Sequence, residues 1–343
     1  IHAHGLGGWS DEANATGPAA LLGMFVIAYT GPGGGVGELE LPSEGLPASY
    51  DDGYRMFNTI PDPRGSWFWG HAVAAMRGLT CLETRPEVDP QLLGMTGYSG
   101  GAVATLMVAG TDDRVIAAVP VSGVGYMDLA IASTPQPGWQ ADVLDAMDPP
   151  RTSASPEWTA YEQWLDPKNF LPSVTGQILL INGAQDEFFP LPSTVATFSD
   201  LPGDGHRLLS IVNWDHGWFA LFNGEQPARD AGAALRFWFG HHFGTDTDYA
   251  SLPTLPTVDA MAAFACPQAC TAVLASVPQP PGSFVEEVIL HFGLDGLAYA
   301  EWNLQNQGGG TWGAFIGTLD PALIPDLVSW VEVRYSTNWL GLS

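Results

Sequence analysis

The sequence predicts an α/β fold, with a mostly parallel sheet flanked by helices, followed by a smaller all-β domain. Residues 1 to about 245 alternate short β-branched apolar runs with helix-length amphipathic stretches, which is typical of parallel strands joined by helices. Beyond this point, helical spacing gives way to period-two alternation broken by turn signals, as in an antiparallel domain. The length of 343 residues fits one large domain and one small one.

Apolar runs predict the strands of the parallel sheet. These runs cover residues 23–29, 92–96, 115–121, 177–182 and 206–212. The clearest helix spans residues 67–82, because Phe68, Ala72, Ala75, Met76 and Leu79 fall on one face at helical spacing. Two more helices are predicted, one from Gly100 to Ala109 and one over residues 230–238.

The C-terminal part is predicted to be a small antiparallel sandwich. Apolar and less apolar side chains alternate in three runs, at residues 288–292, 298–304 and 331–335. Two prolines within residues 251–256 indicate a linker ahead of these runs. The predicted domains are an α/β domain over residues 1–245, a linker over 246–265 and a β-sandwich-like domain over 266–343.

Composition excludes several classes of partner. Hydrophobic residues make up 46% of the chain, which is enough for a packed core. The 37 acidic residues exceed the 11 basic ones and leave a formal charge of −26, with Lys168 as the one lysine. Such a chain repels phosphate backbones and anionic lipid, so we expect no nucleic acid and no membrane surface as partner. No apolar run reaches the roughly 18 to 20 residues that span a bilayer.

The cellular location is expected to be secreted or extracellular, with a signal peptide outside these residues. The acidic excess suits that setting or a salty one, and a high-GC genome produces the same bias. Of the three cysteines, Cys266 and Cys270 are close enough in sequence to form a local disulfide if the backbone turns between them. A metal site would need two more ligands nearby, and free thiols remain the alternative.

A Gly-x-Ser-x-Gly motif lies between a predicted strand and a predicted helix. Residues 97–101 read Gly-Tyr-Ser-Gly-Gly. This kind of turn lifts the Ser99 hydroxyl above the sheet, and glycines flank it because a Cβ would clash there. The free N–H groups of the following helix favour a developing oxyanion at the same place. Ser99 is the predicted nucleophile, and a glycine-rich packing turn is the alternative.

A serine nucleophile needs a base, and the base needs an orienting carboxylate. The expected chain order is serine, acid, histidine. Asp186 follows the predicted strand 177–182, and His216 follows the strand 206–212, so both fit this order. In the alternative interpretation, Asp186 caps the next helix and His216 is a turn residue. Two neighbouring acids, Glu187 and Asp215, are weaker candidates, since Asp215 adjoins His216 and would be strained in reaching its ring.

The predicted oxyanion hole combines the backbone N–H groups of Gly100 and Leu6. Leu6 lies in a glycine-rich loop at residues 4–8, and a rival loop covers residues 30–35. The rival loop lacks the lysine and the serine or threonine of a phosphate-binding loop, which disfavours a nucleotide site.

These motifs resemble the α/β-hydrolase superfamily over residues 1 to about 245. The resemblance rests on His4-Gly5-Leu6-Gly7-Gly8, on the motif around Ser99, and on Asp186 and His216 in that order. More narrowly, residues 96–101 and 182–190 look like secreted bacterial esterases of the acetyl-xylan-esterase-like or prolyl-oligopeptidase-like kind. The resemblance implies acyl transfer to water with neither a metal nor an organic cofactor. It also implies strands before the His4-Gly5 loop, so the chain is expected to start inside the third strand of the sheet.

The resemblance further implies a small cap at about residues 123–176. Its aromatic side chains either line an acyl pocket or form the core of the cap itself. Side chains next to the three candidate residues are predicted to bind substrate, namely Tyr98, Phe188, Trp214 and Trp218.

The predicted function is hydrolysis of a small-molecule or polymeric ester by a serine esterase. A serine peptidase of the prolyl-oligopeptidase type uses the same residues on the same fold. A non-catalytic protein that attaches to a polymer through the β domain is the alternative from another class.

Overall fold

The computed structural model describes fourteen stretches of the chain: residues 1–5, 8, 10, 12–32, 55–133, 138–211, 214–216, 226–244, 257–264, 270–277, 279, 284–293, 300–315 and 328–336. Within these residues, helices α1 to α8 are Glu12–Leu22, Trp67–Glu83, Gly100–Ala109, Met127–Ala132, Trp139–Asp145, Pro156–Trp164, Leu191–Ser199 and Gln226–Phe243. Strands β1 to β7 are His2–Ala3, Ala28–Tyr29, Leu93–Tyr98, Val115–Val121, Gln177–Gly183, Arg207–Ile211 and Thr257–Phe264. Strands β8 to β13 are Cys270–Ser276, Phe284–Gly293, Ala300–Asn303, Gln305–Gly308, Thr311–Phe315 and Val328–Ser336.

The first six strands form one parallel sheet in the order β2-β1-β3-β4-β5-β6. Both faces of β4 and β5 are apolar, as expected where helices cover a sheet on each side. One buried cluster joins the sheet to α2, α3 and the helices α4 to α6, and a second joins it to α8. The predicted α/β-hydrolase sheet is therefore confirmed.

The carboxyl ends of these parallel strands meet at one edge of the sheet. Ser99 follows β3, Asp186 follows β5, and His216 comes a few residues after β6. The three residues lie at the same end of the sheet, because β3, β4, β5 and β6 are successive parallel neighbours in it.

The beginning of the chain differs from the sequence-based expectation. The predicted strand over residues 23–29 is reduced to β2, and the helix α1, which was not predicted, precedes it. This helix contains Gly17 and Pro18 and has no apolar face, so its periodicity carried no helical signal.

The carbonyl of Asn14 in α1 accepts a hydrogen bond from the ring of His2. In a regular helix the N–H of residue 18 would bond to the carbonyl of Asn14, but Pro18 has no N–H. The Nδ1 atom of His2 donates to that carbonyl at 2.8 Å instead. Strand β1 and helix α1 are thereby joined through a side chain.

Two antiparallel sheets make up the C-terminal part, with strand orders β10-β9-β13 and β11-β12-β8-β7. Their inner faces form a separate buried cluster that includes Val288, Leu290 and Trp312. The predicted all-β architecture is confirmed. Strand β7 lies inside the range predicted as a linker and pairs with β8, so the antiparallel part begins before residue 266.

Two further observations concern the cysteines and the helices. Cys81 is free and exposed, whereas the predicted pairing of Cys266 with Cys270 lies outside the described residues. Among the helices of the described ranges, none combines the length and the apolar character needed to cross a bilayer.

Candidate active site

Ser99 lies in a tight turn between β3 and α3. Its backbone angles are φ 55° and ψ −119°, a conformation that a non-glycine residue adopts only where its surroundings impose it. The turn requires glycines on both sides of the serine. A Cβ on Gly97 would lie 2.4 Å from the carbonyl oxygen of Gly101, and a Cβ on Gly101 would lie 2.2 Å from that of Ala3. Local packing therefore explains the glycine spacing of the motif.

A continuous chain of hydrogen bonds joins Ser99, His216 and Asp186. The Nε2 atom of His216 lies 2.9 Å from Oγ of Ser99, and its Nδ1 atom lies 3.0 Å from both carboxylate oxygens of Asp186. A carboxylate only accepts hydrogen bonds, so Nδ1 carries the proton and Nε2 accepts from the serine. The side chain of Asp186 is fully buried and that of His216 is 9% exposed. These contacts form one hydrogen-bonded chain from Asp186 through His216 to Ser99, and the roles of acid, base and nucleophile stay predictions from the sequence.

Backbone donors hold Asp186 in place. Its Oδ1 atom accepts the N–H groups of Phe188 at 2.9 Å and Phe189 at 2.8 Å. The loop is tied back by Asn182, whose Nδ2 atom donates to the carbonyl of Phe189 at 2.9 Å. The loop that carries Asp186 therefore fixes the carboxylate independently of its contacts with the imidazole.

The start of α3 supplies the first predicted oxyanion donor. Gly100 is the first residue of this helix, so its N–H has no acceptor within the helix. The positive end of the helix dipole lies at the same point. The second predicted donor, Leu6, lies outside the described residues. Gly5 is placed beside the nucleophile, since a Cβ there would lie 3.2 Å from Cβ of Ser99.

His4 fixes the backbone next to Gly5 through both ring nitrogens. Its Nε2 accepts the N–H of Gly31 at 2.7 Å, and its Nδ1 donates to the carbonyl of Gly5 at 2.6 Å. This pattern needs a neutral ring, and burial lowers the pKa of His4. His71 lies beside it, with 5.0 Å between ring centroids, and burial holds the pKa of His71 well below its usual value. Two neutral histidines thus pack behind the Gly5 backbone.

The predicted substrate-binding residues fall in different surroundings. Phe188 is half-buried, stacks on Trp139 of α5 and has its ring centroid 4.2 Å from that of His216. Tyr98 and Trp214 are buried in the cluster that joins the sheet to α8, so both contribute packing. Trp218 lies outside the described residues. A role in substrate binding stays a prediction for all four.

Two contacts to the main chain of His216 were not predicted. The hydroxyl of Tyr98 donates to the carbonyl oxygen of His216, and the N–H of His216 donates to Oε2 of Glu187 at 3.0 Å. Tyr98 directly precedes Ser99 and Glu187 directly follows Asp186 in the sequence. No sequence pattern, however, indicated that the main chain of His216 lies between these two side chains.

Comparison with known proteins identifies the family of the chain. The sequence model of the prolyl oligopeptidase family, Peptidase_S9, matches residues 74–245, which is half of the chain. A comparison with curated proteins gives no match.

Solved structures with similar folds include esterases and a peptidase. An acetyl xylan esterase from Paenibacillus sp. R4 is 22% identical, with a TM-score of 0.50 and coverage of 63% of this chain and 67% of that one. Acetyl xylan esterase 1 from Thermoanaerobacterium sp. JW/SL YS485 is 18% identical, with a TM-score of 0.47 and coverage of 68% and 72%. The acylaminoacyl peptidase of Pyrococcus horikoshii is 18% identical, with a TM-score of 0.42 and coverage of 50% and 28%.

Proposed function

The chain belongs to the prolyl oligopeptidase family, and we propose that it is a serine hydrolase whose substrates are carboxylic esters, cleaved through an acyl-enzyme. The observation that carries this proposal is the hydrogen-bonded chain from Ser99 through His216 to Asp186. A serine without a base would be a weak nucleophile, whereas the Oγ atom of Ser99 has Nε2 of His216 at 2.9 Å.

Each residue has a defined role in the proposed mechanism. Nε2 of His216 accepts the proton of Ser99 as Oγ attacks the carbonyl carbon of the ester. Asp186 keeps the proton on Nδ1 and stabilises the imidazolium that forms. The N–H of Gly100 donates to the oxyanion, and Leu6 is the second donor predicted from sequence. His216 then protonates the leaving alcohol, and water repeats the attack on the acyl-enzyme.

Esters are the substrates that this machinery cleaves with the least further assistance. An alcohol leaves more easily than an amine, which must be protonated as the carbon–nitrogen bond breaks. A site able to cleave amides therefore also cleaves activated esters, and the converse does not hold. The charge of −26 disfavours anionic substrates at long range, so neutral small-molecule or polymeric esters are proposed.

Peptide hydrolysis is the second candidate function, and the match to the prolyl oligopeptidase family favours it. A p-nitrophenyl ester series and chromogenic dipeptides, assayed side by side, separate the two activities. Turnover of esters alone supports the esterase assignment, and comparable kcat/KM on a dipeptide would make the protein a peptidase.

Covalent labelling tests whether the chain is catalytic at all. We expect a fluorophosphonate to label the wild-type chain on Ser99 and to leave Ser99→Ala unlabelled, with kcat of that variant below about a hundredth of wild type. Ser153→Ala, a change at an exposed serine of the cap, serves as the matched control and should label normally. A wild-type chain that is not labelled would instead support a non-catalytic polymer-binding protein.

A further inference from the structure

The main chain of His216 is held on both sides by two side chains that take no part in proton transfer. We propose that Tyr98 and Glu187 are positioning residues, which fix the backbone of His216 and so place its imidazole between Ser99 and Asp186. This inference rests on the proposed function, because it assigns a role to groups that act through the base.

The two contacts engage opposite ends of the same residue. The carbonyl of His216 accepts from the Tyr98 hydroxyl, and its N–H donates to the Glu187 carboxylate at 3.0 Å. With both peptide groups anchored, the Cα–Cβ bond of His216 has a fixed direction. Only rotation of the ring then remains to be set by its hydrogen bonds to Ser99 and Asp186.

Each of the two residues is the sequence neighbour of a residue that the imidazole contacts. Tyr98 directly precedes Ser99, and Glu187 directly follows Asp186. Each bond made by the imidazole is therefore accompanied by a main-chain bond from the adjacent residue. On the Ser99 side, His216 is held by the serine and by Tyr98. On the Asp186 side, it is held by the aspartate and by Glu187.

Tyr98 is a buried strand residue, whereas Glu187 is an exposed loop residue. Tyr98 is the last residue of β3, pairs with Val121 of β4 and is 8% exposed. Glu187 belongs to the loop whose neighbouring N–H groups hold the Asp186 carboxylate. His216, in contrast, is in a loop beyond the end of β6. The Tyr98 hydroxyl thus ties this loop residue to the end of a sheet strand, and a displacement of the imidazole by about 1 Å can cost roughly a hundredfold in rate.

The test removes each anchor and restores one of them. Tyr98→Phe deletes only the hydroxyl, and Glu187→Ala deletes the acceptor. Glu187→Gln keeps an oxygen that can accept the His216 N–H. Matched controls are Tyr126→Phe, which removes a hydroxyl bonded to Asp200, and Glu87→Ala, which removes an exposed acid between α2 and β3.

We expect Tyr98→Phe and Glu187→Ala to lower kcat on p-nitrophenyl acetate by about tenfold, the effect of one hydrogen bond, while KM stays within about twofold. Glu187→Gln should retain most of the wild-type kcat, and the two controls should match wild type. A loss confined to kcat and reversed by glutamine is not expected from general destabilisation, which unfolding curves of all variants measure directly.

Several results would overturn the inference. These are unchanged kcat in Tyr98→Phe and Glu187→Ala, an equal loss in the controls, or a Glu187→Gln variant as impaired as Glu187→Ala. If Tyr98→Phe does not fold, the alanine and glutamine variants at position 187 decide the question. An unlabelled wild-type chain would overturn the proposed function as well, whereas a labelled one with unimpaired variants overturns this inference alone.

Discussion

Asp186 differs from the two acids near it in what its oxygens contact. Both of its oxygens lie 3.0 Å from Nδ1 of His216, whereas Glu187 accepts from the main chain of that residue and Asp215 is exposed. We expect Asp186→Asn to lower kcat roughly a thousandfold or more, because the amide favours the wrong tautomer of the imidazole. Glu187→Gln and Asp215→Asn should each retain most of the wild-type kcat. Steady-state kinetics of the three variants provide the measurement, and a larger loss in Asp215→Asn would mean that the orienting acid is misassigned.

The sequence was sufficient to predict which three residues meet at the strand ends. The Ser99 turn has a motif, and Asp186 and His216 each follow a run of strand residues, so parallel topology alone brings them to one edge. The contacts of Tyr98 with His216 depend on the approach of residues 118 positions apart. No local pattern encodes such a contact, and Tyr98 was accordingly predicted to bind substrate.

Elements were predictable where their side chains show a regular period. Helix α2 has an apolar face and was predicted within one residue of its observed end. Helix α1 has none, and the carbonyl of Asn14 in this helix accepts from the ring of His2, because Pro18 has no N–H to donate. A hydrogen bond that a helix receives from another element produces no periodic pattern in the sequence of the helix itself.

A buried carboxylate joins two parts of the segment between β4 and β5. Asp166 accepts the N–H groups of Tyr126, Met127 and Lys168 at 2.9 to 3.0 Å, and so it holds the first turn of α4. Burial nevertheless raises its pKa to about 6. The folded chain therefore binds a proton here more tightly than the unfolded chain does, and stability falls as pH rises from the unfolded value of 3.8 towards 6.

This difference in proton binding predicts how the stability of the folded chain depends on pH. The free energy of unfolding of the wild type, relative to Asp166→Asn, should fall by about 1 kcal/mol between roughly pH 5 and pH 7.5, because the variant has no carboxyl to ionise. Urea unfolding of both proteins at the two pH values measures the difference. If the free energy of unfolding of the wild type relative to Asp166→Asn stays constant or increases as pH rises, the raised pKa is contradicted.

The molecule as a whole has separate apolar cores. The clusters around the parallel sheet are formed by residues up to Phe239, and the C-terminal cluster begins at Val273. Within the β part, Trp312 is 9% exposed and packs in the core, whereas Trp302 is 44% exposed at the edge strand β10. None of the contacts that join Ser99, His216 and Asp186 comes from this part.

Removal of the β part should therefore spare turnover of small soluble esters. A chain ending at Gly244 keeps the whole parallel sheet, α8 and every described contact of the candidate site, so we expect kcat/KM on p-nitrophenyl acetate within about threefold of the full chain. Circular dichroism and unfolding curves show whether the shortened chain folds. Loss of soluble-ester activity in a well-folded truncation would mean that the β part builds the substrate pocket or orders the cap. Equal activity on the soluble ester, with reduced activity on an insoluble polyester or acetylated xylan, would instead assign the β part to substrate attachment, and the exposed Trp302 would be the first side chain to replace.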